Sequence, residues 1–315
     1  MTAAAGAYNE SDLALDSTFF VAFDLTHRAL KGGLAAASPL NVTQYRMLVK
    51  LLAAGPDGVA QSDLGRLLDL KPNVVTQALN ALEEAGFAER LRGEGADGRT
   101  RTARATGAGE EHVARANASI VERLYALFPT EDADHRAILE ASIAAGASID
   151  PPLSGDVASR FAASRALASL ELVKRAMEGA LRRAAGAPLA ECRVLQRLGE
   201  VDEPLRVGDI ATQLQMSPVA VARAVDGLVG RGWARRLASP SDRKAVFVAA
   251  TDEGARKQKV IARTVDALAR TQLWARLDDD RRRALARTWR VVIADVQARK
   301  ELDRKAALEL LQPIE

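Results

Sequence analysis

The fold is decided by two stretches of sequence that repeat each other. Residues 63–91 read DLGRLLDLKPNVVTQALNALEEAGFAERL, and residues 209–237 read DIATQLQMSPVAVARAVDGLVGRGWARRL. They align without a gap at a shift of 146 residues and are identical at ten of 29 positions, among them Pro72 with Pro218 and Gly86 with Gly232. Because proline and glycine serve special backbone conformations, this agreement predicts two copies of one structural unit.

Each stretch predicts two helices joined by a tight turn. A short helix (61–69; 207–215) precedes a proline that opens a second helix (72–85; 218–231), where its missing N–H costs nothing. Apolar residues at spacings of three and four give the second helix one buried stripe, and a glycine ends it. This is the pattern of a helix-turn-helix, whose second helix turns its polar residues outward.

The residues after each glycine predict a two-stranded hairpin, or wing, beside the helix-turn-helix. The strands fall at 87–91 and 233–237, with return strands at 100–105, which is polar and alanine-rich, and at 245–249. Thr106 and Thr251 then stand where an N-cap opens a long helix, and the second of these helices is expected to reach about Arg276.

A proline pair marks the boundary between the copies. Pro151 and Pro152 stop a helix and leave an extended joint, so we expect domains at 1–148 and 156–315 with a linker at 149–155. The other predicted helices are 11–36 with Ser11 or Asp12 as its N-cap, 42–54, 156–185, 189–199, and a last helix in each copy with an acidic start.

In this order and spacing the motifs resemble the MarR family of winged-helix transcription regulators, twice over nearly the whole chain. The matching positions are Pro72, Val75, Leu82, Gly86, Asp97-Gly98-Arg99, Thr106 and Gly109, and again Pro218, Val221, Leu228, Gly232, Asp242-Arg243-Lys244, Thr251 and Gly254. Two positions depart from the family pattern. Lys244 stands where the family has arginine, and the first recognition helix (72–85) contains no lysine or arginine.

The resemblance implies a mainly α fold with small β wings. Members of the family are homodimers whose first and last helices intertwine below two DNA-reading lobes. With both lobes in one chain, we expect an intramolecular pseudo-dimer formed through the long N- and C-terminal helices. We expect the chain to be monomeric, with double-stranded DNA as its partner.

The DNA-binding candidates lie on the recognition helices and at the wings, where side chains reach base edges and phosphates. They are Asn73, Thr76, Gln77, Asn80, Arg92 and Arg99 in the first copy, and Ser217, Val219, Arg223, Arg236, Arg243 and Lys244 in the second. Gln77 and Arg223 are aligned and are both base-reading types, Gln for adenine and Arg for guanine. The alternative is that these residues form only a solvated face.

The family resemblance also implies a small, often aromatic or anionic effector bound between the helical layer and a DNA lobe. The candidates are Phe23, His27, Tyr45, Arg46 and Arg193. Core packing is the alternative for Phe23 and Tyr45, and a structural hydrogen bond or ion pair is the alternative for His27 and Arg46; Arg193 is the counterpart of Arg46 in the second copy. Cys192 is either a redox sensor or a small buried hydrophobe, and it has no partner cysteine.

Charge and composition narrow the function classes. The chain of 315 residues has a net charge of +3, but residues 1–150 carry 14 basic and 20 acidic side chains, a net of −6, whereas residues 151–315 carry 30 and 21, a net of +9. The basic half suggests an anionic partner. With no long apolar run, no secretory signal, one cysteine, three histidines, and neither a glycine-rich phosphate loop nor a nucleophile motif, we expect a cytoplasmic protein without membrane span, metal or cofactor, and not an enzyme.

Together these features predict a DNA-binding transcription regulator, a repressor, that reads an imperfect palindrome with half-sites roughly 10 bp apart. The second copy should supply more of the affinity. The alternative is a protein-interaction or ligand-sensing module that kept the fold and binds DNA weakly or not at all through the first copy.

Overall fold

The computed structural model describes residues 15–92, 101–150, 160–238 and 246–310, and these are mostly helical. The helices are α1 Ser17–Ala37, α2 Val42–Ala54, α3 Gln61–Leu68, α4 Pro72–Glu84, α5 Gly107–Leu127, α6 Ala133–Ser148, α7 Ala162–Ala185, α8 Leu189–Leu198, α9 Val207–Gln213, α10 Pro218–Gly230, α11 Asp252–Leu268 and α12 Asp279–Leu310. The strands are β1 Val59–Ala60, β2 Ala88–Arg92, β3 Arg101–Ala105, β4 Leu205–Arg206, β5 Ala234–Ala238 and β6 Val246–Ala250. The expected mainly α fold with small wings is confirmed.

Each copy has a small antiparallel sheet with one strand more than the sequence predicts. The strand orders are β1-β3-β2 and β4-β6-β5. The two-stranded hairpin was therefore incomplete, because Val59 pairs with Ala103 and Leu205 with Val248 through strands only two residues long. Two residues are too few to show an alternating pattern.

The junction between wing and long helix is the same in both copies. Thr106 and Thr251 are N-caps, as predicted, and accept hydrogen bonds from the backbone N–H groups of Gly109 (3.1 Å) and Gly254 (3.0 Å). A Cβ on either glycine would collide with the backbone carbonyl of the residue that opens the wing, Phe87 or Trp233. The Thr-x-x-Gly motif is therefore explained by a cap and a close backbone approach.

The helix after Thr251 changes type before its end. α11 ends at Leu268 and is followed by a π-helical turn at Ala269–Leu273 and a 3-10 turn at Trp274–Arg276. Within this turn the Thr271 hydroxyl donates to the Ala267 carbonyl (2.9 Å), and such a bond competes with the regular helical ladder. The chain thus stays helical to Arg276, where the sequence places the end, but its last residues from Ala269 onward are π- and 3-10-helical.

The described residues divide into two compact units that do not follow the order of the chain. One unit takes Lys174–Ala275 together with residues from Met1–Leu25 and Val296–Glu315, and the other takes Thr26–Val173 with Arg276–Asp295. The divisions fall inside α1, α7 and α12, so each of these three helices contributes residues to both units.

The opening turns of α1 belong to the unit that contains the second helix-turn-helix. The backbone N–H of Ser17 donates to Glu200 (2.7 Å), and Asp24 lies 3.4 Å from the guanidinium of Arg193. A shorter contact joins the Ser17 hydroxyl to the same glutamate.

The opening turns of α7 belong to the unit of the first helix-turn-helix. The Tyr45 hydroxyl lies 2.7 Å from the Ser164 hydroxyl, and His27 Nε2 lies 2.7 Å from Glu171. The first helix of each copy is thus tied to the lobe of the other copy.

Several predictions fall on residues outside the described ranges. These are the caps Ser11 and Asp12, the linker residues 151–155, and the wing-tip residues Arg99, Arg243 and Lys244. Arg92 ends β2, but its side chain is likewise outside the description.

Candidate nucleic-acid interface

The two recognition helices, α4 and α10, are held by the same device. The turn before each contains a non-glycine residue with left-handed backbone, Asp69 or Gln215, both at φ +52°. A buried arginine from the preceding core helix donates to the last carbonyl before that turn: Arg46 to Leu68 (2.9 Å) and Arg193 to Leu214 (2.6 Å). The guanidinium therefore satisfies a helix-terminal carbonyl that has no partner within its own helix.

Each recognition helix buries one stripe and exposes the opposite face. The buried residues are Val75, Ala78, Leu79 and Leu82 in α4, and Val221, Ala224, Val225 and Leu228 in α10. The exposed residues are Asn73, Thr76, Gln77 and Asn80 in α4, and Val219, Ala222, Arg223 and Asp226 in α10. The apolar stripe read from the sequence is confirmed, and every predicted base-reading residue of both helices lies on the outer face.

Gln77 and Arg223 occupy aligned positions on these faces. Neither makes a hydrogen bond or ion pair with any other residue of the described ranges, and both side chains are exposed. A solvated arginine on an exposed recognition helix is chemically able to meet a guanine edge or a phosphate, and glutamine an adenine edge.

Two other candidates, Thr76 and Ser217, make structural hydrogen bonds near the start of their helices. Thr76 donates from its hydroxyl to the Pro72 carbonyl (3.1 Å) and lies 3.3 Å from the Gln61 amide nitrogen. Ser217 is the N-cap of α10 and accepts from the Ala220 N–H (3.2 Å). Val219 comes two residues after Ser217. Its side chain is 61% exposed, which is unusual for a large apolar residue in the described part of this protein.

An arginine on the first wing strand reaches back to the recognition helix in both copies. Arg90 donates to Asn80 (2.8 Å) and pairs with Glu83, and its counterpart Arg236 pairs with Asp226. Sequence reasoning assigned Arg236 to DNA and did not find these pairs. The aligned Asn80 and Asp226 were visible, but their distance to the strand was not.

The cations around the two lobes are engaged to different extents. On the first wing Arg104 pairs with Glu89 (2.7 Å). On the second, Arg235 is exposed and makes no hydrogen bond or ion pair within the described part of the chain. Arg231 pairs with the buried Glu191 (2.8 Å) and lies over the Trp233 ring. Among the wing-strand arginines whose side chains the structure describes, Arg235 of the second lobe is thus exposed without a carboxylate partner, whereas Arg90 and Arg104 of the first lobe are paired.

The five effector candidates are buried and fall in different units. Phe23 and Arg193 belong to one unit, and His27, Tyr45 and Arg46 to the other. Arg46 is only 1% exposed, and burial raises the pKa of the Tyr45 phenol well above its usual range. All but Phe23 make the hydrogen bonds or ion pairs described above, so the structural alternative accounts for them without a ligand.

Cys192 lies in the core of α8. Its sulfur is 3.8 Å from the Ala187 carbonyl, and burial raises the pKa of its thiol to about 12. Because the thiolate is the reactive form, these surroundings favour the buried hydrophobe over the redox sensor.

Within the described ranges, no cluster of His, Cys, Asp and Glu is arranged to hold a metal ion. In the same ranges no helix has the length and apolar character needed to cross a membrane.

Two family models match separate parts of the chain, and both are described as MarR family. One matches residues 38–100 and the other residues 188–246, so each covers one helix-turn-helix with its surroundings. No curated protein matches the chain.

Solved structures with similar folds each correspond to about half of this chain or less. The MarR family regulator Sco3205 from Streptomyces coelicolor, in complex with DNA, has 27% identity and a TM-score of 0.38 and covers 39% of this chain and 78% of its own. AbsC from the same organism has 20% identity, a TM-score of 0.38 and coverages of 42% and 89%. CouR from Rhodococcus jostii RHA1, bound to p-coumaroyl-CoA, has 21% identity, a TM-score of 0.32 and coverages of 51% and 100%.

Proposed function

Because the chain carries two MarR-family winged-helix domains in tandem, we propose that it regulates transcription by reading DNA with two unequal lobes of a single chain. The observation that carries this proposal is the pair Gln77 and Arg223. They are aligned, exposed and without internal partners among the described residues, on the faces that recognition helices turn to the major groove.

The second lobe is proposed to supply most of the affinity. Arg223 and Arg235 are exposed there without carboxylate partners in the described ranges, whereas the arginines Arg90 and Arg104 of the first wing are already paired. Exposed Glu84 also repels phosphate at the end of α4. The proposed base and phosphate contacts extend to all the DNA-binding candidates: Asn73, Thr76, Gln77, Asn80, Arg92, Arg99, Ser217, Val219, Arg223, Arg236, Arg243 and Lys244.

The chain is proposed to act as a monomeric pseudo-dimer. What supports this is the exchange of first helices: α1 is tied to the second lobe through Glu200 and Arg193, and α7 to the first lobe through Tyr45. The proposed binding site is an imperfect palindrome with half-sites roughly 10 bp apart, one for each helix-turn-helix. A protein that covers such a site blocks other proteins from it, which makes repression the proposed outcome, with release by a small molecule.

The test is binding selection of random DNA duplexes with the full chain. The enriched sequences should contain two different half-sites about one helical turn apart. Arg223→Ala should then weaken binding to the enriched duplex about 5- to 150-fold, the range for one good base contact. Gln77→Ala should weaken it less.

The matched control is Arg182→Ala, which removes an exposed arginine from the last turn of α7. It should leave affinity within about twofold, as for an ordinary surface substitution. Undiminished binding by Arg223→Ala would refute the assignment.

The competing function is a protein-interaction module, which the acidic first copy favours locally. Salt separates the two functions: DNA binding through several arginines should weaken linearly on a log–log scale as salt rises. A protein that selects no duplex at low salt would support the interaction module instead.

A further inference from the structure

Arg206 is an exposed cation of the second lobe that an aromatic ring holds in place. The Cζ atom of its guanidinium lies 5.1 Å from the centre of the Phe247 ring. The side chain makes no hydrogen bond or ion pair within the described residues. An arginine stacked on a ring keeps its charge and its N–H donors, and it loses less side-chain freedom when it then binds an anion.

The stack of Arg206 on Phe247 is built into the register of the second wing. Arg206 lies opposite Phe247 in β4 and β6, and Phe247 lies opposite Leu237 in β5. Residues directly opposite in antiparallel strands share a face of the sheet, whereas the next residue along a strand points to the other face. That next residue, Val248, is buried in the core, and Phe247 is only half-buried. The stack therefore lies on the outer face of the wing sheet.

The first wing has the same backbone frame without the cation or the ring. The aligned residues are Ala60 and Thr102, which lie opposite each other in β1 and β3. The backbone is extended at Ala60 (φ −59°, ψ 134°) and at Arg206 (φ −68°, ψ 143°), and each of these residues directly precedes the first helix of its helix-turn-helix. The stack is thus a feature of the second lobe that the duplicated frame of the first lobe could also hold.

Arg206 lies at the start of α9, and that start is close to the reading face of the lobe. In a helix-turn-helix the first helix crosses the DNA backbone. The first copy shows the distance involved: the amide nitrogen of Gln61, the first residue of α3, lies 3.3 Å from the hydroxyl of Thr76 on the exposed face of α4. The residues aligned with these two are the immediate sequence neighbours of Arg206 and Arg223. The stack therefore lies beside the face that presents Arg223.

We propose that Arg206 binds a phosphate of the DNA backbone beside the second half-site, and that Phe247 positions its guanidinium for this contact. The inference rests on the proposed DNA-binding function and adds to it a contact that does not depend on base sequence. A guanidinium fork matches two phosphate oxygens. No carboxylate of the described residues competes for Arg206, whereas Arg236 on the same wing already pairs with Asp226.

The first experiment measures the affinity of the full chain for the selected duplex and for an unrelated duplex over a range of salt concentrations. Each neutralised phosphate contributes about 0.9 to the slope of log affinity against log salt. Arg206→Ala should therefore flatten the slope by about 0.9 and weaken binding to both duplexes by the same factor, about two- to fivefold. Arg182→Ala on α7 should leave the slope at its wild-type value. An unchanged slope in R206A, or a loss confined to the selected duplex, would overturn the proposal.

Phe247→Leu tests the positioning role, because it keeps an apolar side chain in the sheet and removes the ring face. It should weaken binding less than R206A does and leave the slope near its wild-type value, since the cation is still present. In the R206A background it should cause no further loss, because no guanidinium is then left to position. An equal loss in both backgrounds would mean that Phe247 supports only the fold of the wing, and its positioning role would be refuted. Urea unfolding of each variant checks that it is folded.

The reverse experiment places the pair in the first copy. Ala60→Arg combined with Thr102→Phe reproduces the residue types and the register of the second wing. The double variant should steepen the slope by about 0.9. It should also bind more tightly than A60R alone, because only the double variant has the ring that holds the guanidinium.

Failure of this contact and failure of the proposed function give different results. A chain that selects no duplex at low salt refutes the proposed function and this contact together. A duplex that wild type, R206A and the A60R/T102F variant bind with the same slope leaves the proposed function standing and refutes the contact alone.

Discussion

Arg193 provides the sharpest test of how a recognition helix is held. Its guanidinium is buried, donates to the Leu214 carbonyl at 2.6 Å and lies 3.4 Å from Asp24. Replacing it with methionine keeps an unbranched apolar stem of similar length and removes both interactions. If the residue served only to bind an effector, the same change would leave the folded protein intact.

The expected loss follows from the contacts. A hydrogen bond that involves a charged group contributes about 1.5–3 kcal/mol, and removing one partner also leaves the buried Leu214 carbonyl unsatisfied. The Asp24 pair adds less, because that carboxylate is 28% exposed and is partly screened by solvent. We therefore expect Arg193→Met to lower the free energy of unfolding by about 3 kcal/mol.

The assay is urea unfolding of the full chain followed by circular dichroism. The matched control is Arg197→Met, one turn further along α8, where the guanidinium is more exposed, pairs with Glu200 at 3.6 Å and donates to the exposed Gln213 side chain at 2.8 Å. That change should cost less than about 1 kcal/mol. If the two variants unfold at the same urea concentration, the buried guanidinium is not what fixes the turn, and the effector interpretation of Arg193 regains its place.

Three further predictions concern single side chains. Val219 is 61% exposed, and we expect its side chain to contact the methyl group of a thymine. Replacing that thymine by deoxyuridine in the selected duplex should weaken wild-type binding about fourfold and leave binding by Val219→Ala unaffected. Equal losses in both proteins would contradict this. The pKa of His112 is lowered by burial and, to a lesser extent, by Arg115, so the stability it contributes is complete above pH 6.5 and is lost as the pH falls through its lower pKa in the folded protein. The urea midpoint should therefore fall less steeply between about pH 7.5 and 5 in His112→Gln than in wild type. Parallel curves would show that His112 does not cause the pH dependence. Cys192, with its pKa raised to about 12 by burial, should resist iodoacetamide in the native protein and react fully in urea, and rapid native labelling would show that the thiol is accessible.

The helices of the two helix-turn-helix units were predictable because their signals are local. The apolar stripe of α4, its opening Pro72 and its closing Gly86 lie within one short segment, and the repeat doubles each signal. The boundaries of α2 and α4 accordingly agree with prediction to within a residue. β1 and β4 were missed because a two-residue strand carries no period.

The hydrogen bonds and ion pairs between residues far apart in the chain could not be predicted from the sequence. Arg46 and Arg193 were visible as an aligned pair, but a one-dimensional pattern does not show that each guanidinium reaches a carbonyl about 20 residues further along the chain. The partners His27 and Glu171 are 144 residues apart, and Ser17 and Glu200 are 183 apart. Such pairs depend on which unit each half of a long helix joins, and only the fold decides that.

The two copies share the residues that hold the recognition helix in place but differ on its exposed face. The left-handed turn residue and the arginine that donates beside it occur in both copies. On the exposed face, Gln77 is replaced by Arg223. In a symmetric homodimer any substitution on that face appears at both half-sites, so the two cannot diverge.

In this chain each exposed face is encoded separately, so a substitution on one recognition helix does not alter the other. Gln77 and Arg223 belong to different units and share no partner among the described residues, so their effects on binding should be additive. The double variant should therefore lose the product of the two single fold-changes. A loss much smaller than that product would mean that the two lobes do not engage DNA together, and the division of net charge between a −6 half and a +9 half would then describe one reading lobe and one supporting lobe.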